Sequence, residues 1–297
     1  MTRKTAHKPL PMDTHPAVIA RIETPVHVRR PESRRSPLVL ASPHSGRTYP
    51  PDLISQTVIP LELLRRSEDA YVDILISGAS EIGLTTVTAA FPRVFIDPNR
   101  STRELDPALF ADFTSPDGAM TAHVQAGLGI IPRISANGRD LYPDPLPLAE
   151  GRRRIADFYR PYHGALDIEL KAARDIHGLA ILLDFHSMPA AAAAGADIVL
   201  GDRYGEACAP EIINEVEHRF EQAGLRVRRN RPYAGGYTTS FYGKPAQHRH
   251  ALQIEINRGL YLDEDRVTRS GTFDQLKSVL EGVLQQLADA DWASSNQ

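Results

Sequence analysis

The sequence predicts an α/β protein built as a three-layer sandwich around a mixed central sheet. Three observations carry that prediction. Short apolar runs such as Leu179-Ala180-Ile181-Leu182-Leu183 recur, longer stretches between them repeat apolar residues at three- and four-residue steps, and glycines close those stretches. A run that is apolar without alternation suits a strand covered on both faces, and strands alternating with helices imply helical layers on the two sides of one sheet.

Residues 1–35 mix Pro, Arg, His and Thr without sustained periodicity and read as an extended or poorly ordered N-terminal arm, leaving 36–297 as a single α/β domain. The domain opens with Pro37-Leu38-Val39-Leu40-Ala41, a buried strand that stops at Ser42-Pro43 and leaves His44 at its end. Residues 61–82 read as a helix closed by Gly83. Strands are expected at 84–89 and 93–96, on either side of Phe91-Pro92. A long helical pattern covers 148–176, with Ile155, Phe158, Tyr162, Leu166 and Leu170 on one face, a kink expected at Pro161 and a stop at Gly178. The apolar strand at 179–183 follows and places His186 just past its end. Strands at 196–200, 225–229 and 251–256 and helices at 209–223 and 272–288 complete the order.

With a net charge of −3 in 297 residues, 42% hydrophobic and 24% charged, the composition is that of an ordinary globular protein. The slight acidic balance argues against a nucleic-acid or anionic-membrane surface, so a small-molecule partner is expected. No apolar run has the length of a membrane span, and the N-terminus lacks the apolar stretch of a signal peptide, so the chain reads as cytoplasmic. The single cysteine, Cys208, cannot form an intrachain disulfide, and any metal must be held by histidines and carboxylates.

His44 and His186 each follow a predicted strand, and the carboxyl ends of strands are where open α/β sheets bind ligands. Either histidine alone could simply cap a loop. Two together form a candidate metal pair. A hydrolytic zinc site needs a third ligand and one open position, and the nearest carboxylates in sequence are Glu68 and Asp69. On a helix Asp69 would share a face with Asp73 while Glu68 points elsewhere, the alternative being a solvated acidic face. Glu255 lies on the same side of its strand as Gln253 and Asn257, flanked by Ile254 and Ile256. That sheltered position suits a general base, with an ion pair to Arg258 as the alternative. Asp97-Pro98-Asn99-Arg100 with Arg103 places two guanidinium groups on one loop, a grip for an acidic amino-acid substrate unless salt bridges to Asp97, Glu104 or Asp106 occupy them. Gly235-Gly236-Tyr237-Thr238-Thr239 has no nucleotide-binding signature and reads as a flexible substrate-facing loop.

Taken together, these pieces resemble the N-formylglutamate amidohydrolase family, also called N-formylglutamate deformylase. The resemblance rests on Ser42-Pro43-His44-Ser45-Gly46-Arg47 with Tyr49-Pro50, on Glu68-Asp69, on Asp97-Pro98-Asn99-Arg100, on Asp184-Phe185-His186-Ser187-Met188-Pro189, on Gly235-Gly236-Tyr237 and on Gln253-Ile254-Glu255-Ile256-Asn257-Arg258-Gly259-Leu260-Tyr261. It implies a zinc-carboxypeptidase-like (phosphorylase/hydrolase-like) fold and hydrolysis of N-formyl-L-glutamate to formate and L-glutamate, a closing step of one histidine-degradation route. It also implies one Zn2+ on His44, His186 and a carboxylate, Asp69 or alternatively Glu68, with Glu255 as general base and Arg100 on a substrate carboxylate. Arg103, Asn99, Gly236 and Tyr237 complete the expected substrate contacts, and Asp184 is expected to orient an imidazole. Two departures stand out. Position 47 is Arg where carboxypeptidases carry the second ligand, and Phe185 stands where many relatives have a small residue or cysteine. Two rival functions remain: a deacylase of another N-acyl or N-formimidoyl amino acid or small peptide, and a noncatalytic metal- or ligand-binding relative.

Overall fold

Every residue of Ala180–Met188 is buried, and this strand lies at the middle of the sheet. The computed structural model describes residues 16–113 and 120–292. Among them a seven-stranded sheet is formed by β1 (Val26–Arg29), β2 (Leu38–Ser42), β3 (Thr85–Ala89), β4 (Ala180–Met188), β5 (Ile198–Gly201), β6 (Val227–Arg229) and β7 (Arg249–Asn257). The spatial order is β1-β3-β2-β4-β7-β5-β6. The inner strands β3, β2, β4 and β7 run parallel, β1 is antiparallel to β3, and β5 is antiparallel to β7 with β6 parallel to β5. The sheet is therefore mixed, as the sequence predicts.

The helices used below are α1 (Leu61–Leu64), α2 (Val72–Leu75), α3 (Arg160–His177), α4 (Pro210–Gln222), α5 (Tyr237–Tyr242) and α6 (Phe273–Ala288). Strand alternation sorts the side chains into two cores. Ile181, Leu183, Leu252 and Ile254 pack with Val216 and Phe220 of α4 and Leu280 and Leu284 of α6. Val39, Ala180, Leu182 and Ala251 pack on the other face with Tyr162, Leu166 and Leu170 of α3. Burying each such aliphatic side chain contributes roughly 1.5–3 kcal/mol, so the two cores hold the three layers together. On the α3 face the parity turns polar toward the strand ends: Ala180 and Leu182 give way to Asp184 and His186, and Ala251 to Gln253 and Glu255. In the parallel register Asp184 pairs with Gln253 and His186 with Glu255. Four polar side chains thus share one end of one face.

Several elements depart from the sequence reading. Residues 61–82 do not form one helix: α1 passes into a 3-10 turn, Glu68 is extended, Tyr71 takes a left-handed φ of 62°, and α2 and a second 3-10 segment follow. The backbone groups that would continue the helix bond elsewhere, since the Asp69 N–H donates to the His44 carbonyl and the Arg258 guanidinium donates to the Glu68 carbonyl. Residues 93–96 form turns and not a strand, with the Phe95 N–H donating to the Pro92 carbonyl. His186 lies inside β4, which runs on to Met188. The long helix continues through Pro161 by opening into a π turn at Ile155–Tyr159, which removes the demand for the N–H that proline lacks. Of the expected N-terminal arm, residues 1–15 lie outside the described residues, while β1 is extended and serves as an edge strand of the sheet. Among the described residues no helix is long and apolar enough to cross a membrane.

Candidate active site

His44 sits two residues beyond β2, His186 points off β4, and Asp69 occupies the break between α1 and α2. The three meet. His44 Nδ1 and His186 Nδ1 stand 3.2 Å and 3.1 Å from Asp69 Oδ2 and 3.1 Å from one another. Each ring is fixed from behind by a carboxylate: His44 Nε2 is 2.7 Å from Asp97 Oδ1, and His186 Nε2 is 3.0 Å from Asp184 Oδ2. A carboxylate accepts and does not donate, so Nε2 carries the proton in each neutral ring and Nδ1 presents its lone pair to the common point.

This donor set fits one divalent ion. Ligand atoms 2.0–2.1 Å from a tetrahedral zinc stand about 3.3 Å apart, close to the three separations observed. Charge agrees with geometry. The buried carboxylates of Asp69, Asp97, Asp184 and Glu255 converge on one end of the sheet, and a bound cation would offset part of their negative charge. The second oxygen of Asp69 is already used, accepting from Arg258 Nη2 at 2.9 Å and Ser187 Oγ at 3.3 Å, so Oδ2 alone is presented to the histidines. Burial would raise the Asp69 carboxyl, but when His186 and His44 carry a proton on Nδ1 their bonds and charge outweigh it and hold the group well below the usual carboxylate range. A cation at the same point would take over that role.

Glu68 turns away from this point. Its Oε1 accepts from the Tyr49 hydroxyl at 2.8 Å and from Arg65 Nε at 3.2 Å, in a buried pair apart from the histidines. Asp73, expected on the same helical face as Asp69, is instead gripped by Arg47 through two bonds of 2.9 Å and 3.0 Å. The Arg at position 47 therefore binds one carboxylate, while the chain break delivers another to the histidines.

Glu255 lies beside His186 on β7 and lines the same cavity, whose volume is about 470 Å³. Burial, offset only in part by His186, pushes its carboxyl up to about 7. Arg258 does not pair with it but with Asp69. Gln253 donates its amide to Glu255 Oε1 at 2.7 Å.

The expected substrate contacts divide. Asn99, Arg100 and Gly236 line the cavity, whereas Arg103 is exposed and Tyr237 starts α5, its ring stacked on Phe241; neither is among the lining residues. Gly235-Gly236-Tyr237 is thus a helix entry and not a free loop. Asn99 Oδ1 accepts the Thr238 N–H at 2.8 Å, which ties this lining residue to the start of α5. Arg100 is half-buried and spends Nε on the Leu128 carbonyl and Nη1 on the Asn99 carbonyl. Sequence reasoning missed Arg93, a lining residue that donates to Asp97 Oδ2 at 2.8 Å. It also assigned Asp97 to the arginines alone, not to His44. The signal for both was an Arg and an Asp four residues apart in a segment that resembles a strand.

The family model described as N-formylglutamate amidohydrolase matches residues 36–262. The N-formylglutamate deformylase of Pseudomonas putida is 29% identical over 265 residues, covering 86% of this chain and 92% of that protein. The crystal structure of N-formylglutamate amidohydrolase from Ralstonia eutropha JMP134 is 37% identical and superposes with a TM-score of 0.84, covering 89% of this chain and 97% of that one. A gene product of Agrobacterium tumefaciens, 20% identical, shares the fold with a TM-score of 0.63 over 90% of this chain and 94% of its own.

Proposed function

Because this chain belongs to the N-formylglutamate amidohydrolase family, we propose that it hydrolyses N-formyl-L-glutamate to formate and L-glutamate with the aid of one zinc ion. The observation that carries the reading is the convergence of His44 Nδ1, His186 Nδ1 and Asp69 Oδ2, at 3.1–3.2 Å from one another, in a cavity that also holds Glu255 and Arg100. These three residues would hold the ion, which when bound supplies Lewis acidity, making the attacking water more acidic and polarising the formyl oxygen.

The chain's own groups do the rest. Asp97 and Asp184 keep both imidazoles in the tautomer and orientation that expose Nδ1. Glu255 takes a proton from the attacking water and returns it to the amine nitrogen as the C–N bond of the formamide breaks. Burial raises the Glu255 carboxyl, which favours its taking up a proton, while a bound cation would favour the ionised form that accepts one from water. Arg100 and Asn99, which line the cavity, would bind the carboxylates of the glutamate portion, and Arg93 adds a further guanidinium to the same cavity. In this reading Arg103 and Tyr237 contact no substrate.

Formate release from N-formyl-L-glutamate, before and after chelation and again after zinc is restored, tests the proposal. Loss on chelation and recovery with zinc are expected. Turnover indifferent to chelation would overturn the metal, and release only from N-formyl amino acids other than glutamate would overturn the substrate.

A further inference from the structure

Gln253 and Glu255 are two residues apart on β7 and project from the same face, 5% and 7% exposed. The Gln253 amide is held one way round. Its Oε1 accepts the Gly236 N–H at 2.8 Å, and its NH2 donates to Glu255 Oε1 at 2.7 Å. Turning the amide over would set donor against donor at Gly236 and acceptor against acceptor at Glu255, so both bonds depend on the same orientation.

Two glycines bring the turn close enough. Gly201 on β5 is the cross-strand partner of Gln253, and a Cβ there would stand 2.6 Å from the Ala234 carbonyl carbon and the Gly235 nitrogen. A Cβ at Gly236 would stand 2.6 Å from Asn99 Oδ1. Both separations are shorter than side chains tolerate, so only glycine allows the 234–236 backbone to lie between Gly201 and Asn99 with its N–H directed at Gln253. From Gly236 the connections run two ways: through Gln253 to Glu255, and, one turn of chain later, from the Thr238 N–H to Asn99, whose own N–H donates to the Asp97 oxygen behind His44.

We propose that Gln253, oriented by the Gly236 N–H, is a positioning residue that holds one oxygen of the Glu255 carboxylate and thereby directs the other at the reacting water. The inference rests on the reading of Glu255 as general base. A carboxylate free to rotate would offer either oxygen in many directions, and misplacement of a reacting group by about 1 Å costs on the order of 100-fold in rate. Gln253 supplies what prevents this. Its NH2 also satisfies one acceptor of a buried carboxylate that has no other hydrogen bond among those formed by the described residues.

The test compares Gln253→Met, Glu255→Gln and the double variant, all loaded with zinc, on N-formyl-L-glutamate. Gln253→Met keeps the length of the side chain and removes both polar atoms. It should lower kcat about 10- to 100-fold with KM changed less than about 3-fold. In the Glu255→Gln background the same change should cost nothing further, because its effect passes through the carboxylate. An equal loss in both backgrounds would overturn the proposal, as would wild-type kcat in Gln253→Met. Should Gln253→Met not fold, Gly201→Ala approaches from the far side: displacing the turn should lower kcat more in the native background than in Glu255→Gln, where only the route through Asn99 remains, and an equal loss in both would overturn the proposal. A wild-type rate in Glu255→Gln alone refutes the general-base reading, a different result from failure of the positioning role.

Discussion

The Nδ1 atoms of His44 and His186 lie 3.1 Å apart with the rings at 67°, each backed by its own carboxylate. Two nitrogen lone pairs at that distance repel unless a cation or a proton lies between them, and Asp69 Oδ2 closes the third side. The first prediction follows from which carboxylate is present. Asp69→Ala should purify with far less than one zinc per chain by elemental analysis. Glu68→Gln should retain stoichiometric zinc but lose about 1–3 kcal/mol of stability, since it leaves Arg65 facing a neutral amide in place of a buried carboxylate. Zinc lost from Glu68→Gln and kept by Asp69→Ala would reverse the assignment.

Asp97 and Asp184 carry the second prediction. Neither reaches the common point, yet each fixes a ring through Nε2. Asp97→Asn and Asp184→Asn should each weaken zinc about 10- to 100-fold in competition with a chelator of known affinity. The loss at Asp97 should be the larger, because the same carboxylate also holds Arg93 and the Asn99 N–H. Unchanged affinity in both variants would mean that packing alone orients the rings.

These assignments show how far the sequence could be read. The strand ends that present His44, His186 and Glu255 are legible, because apolar runs and two-residue alternation act locally. The choice between Glu68 and Asp69 was not, because neighbouring residues on a presumed helix cannot be separated without knowing that the helix breaks. That break is set by distant groups, the His44 carbonyl and Arg258, which lie far away in sequence. Arg93 was hidden for a similar reason: Phe91-Pro92-Arg93-Val94-Phe95-Ile96 has a strand's composition, yet the Phe95 N–H closes a turn on the Pro92 carbonyl and the Asp97 N–H is drawn to the Ile130 carbonyl, distant in sequence.

Arg100 and Arg103 separate cleanly. Arg100 lines the cavity and Arg103 is exposed outside it. Arg100→Ala should raise KM for N-formyl-L-glutamate at least about 10-fold, the loss of a charge-assisted contact worth roughly 1.5–3 kcal/mol, while Arg103→Ala should leave KM within about 2-fold. Steady-state kinetics on both variants decides. A larger effect at Arg103 would require the 99–104 loop to turn over when substrate binds.

Glu255→Gln removes the proton acceptor without changing volume. It should lower kcat about 100- to 10,000-fold and keep zinc at one per chain, because Glu255 is not part of the His44, Asp69, His186 group. Single-turnover measurement of formate release with parallel metal analysis checks both halves. A variant that loses zinc as well as activity would place Glu255 among the ligands.

His163 supplies a pH prediction that is independent of the reaction. It projects from α3, with Nε2 2.9 Å from the Pro98 carbonyl and Nδ1 2.9 Å from the Tyr242 hydroxyl, and so ties the helix to the Asp97-Pro98-Asn99 segment and to α5. The carbonyl takes the proton on Nε2, and Nδ1 faces a hydroxyl in a site stacked between Tyr159 and Tyr242. Burial there pushes the imidazole down to about 4 from 6.5. The folded protein therefore resists a proton that the unfolded chain accepts. Between pH 6.5 and 4 the unfolded state binds more protons, so stability is full above the window and falls as the pH drops through it, by on the order of 3 kcal/mol for this one group. In His163→Gln that contribution to the slope should vanish. Denaturant unfolding of the chelated proteins at a series of pH values from 7 to 4 measures the difference between the two curves: it should widen in favour of the variant as the pH falls. Parallel curves would show that His163 takes up its proton without cost in the folded state.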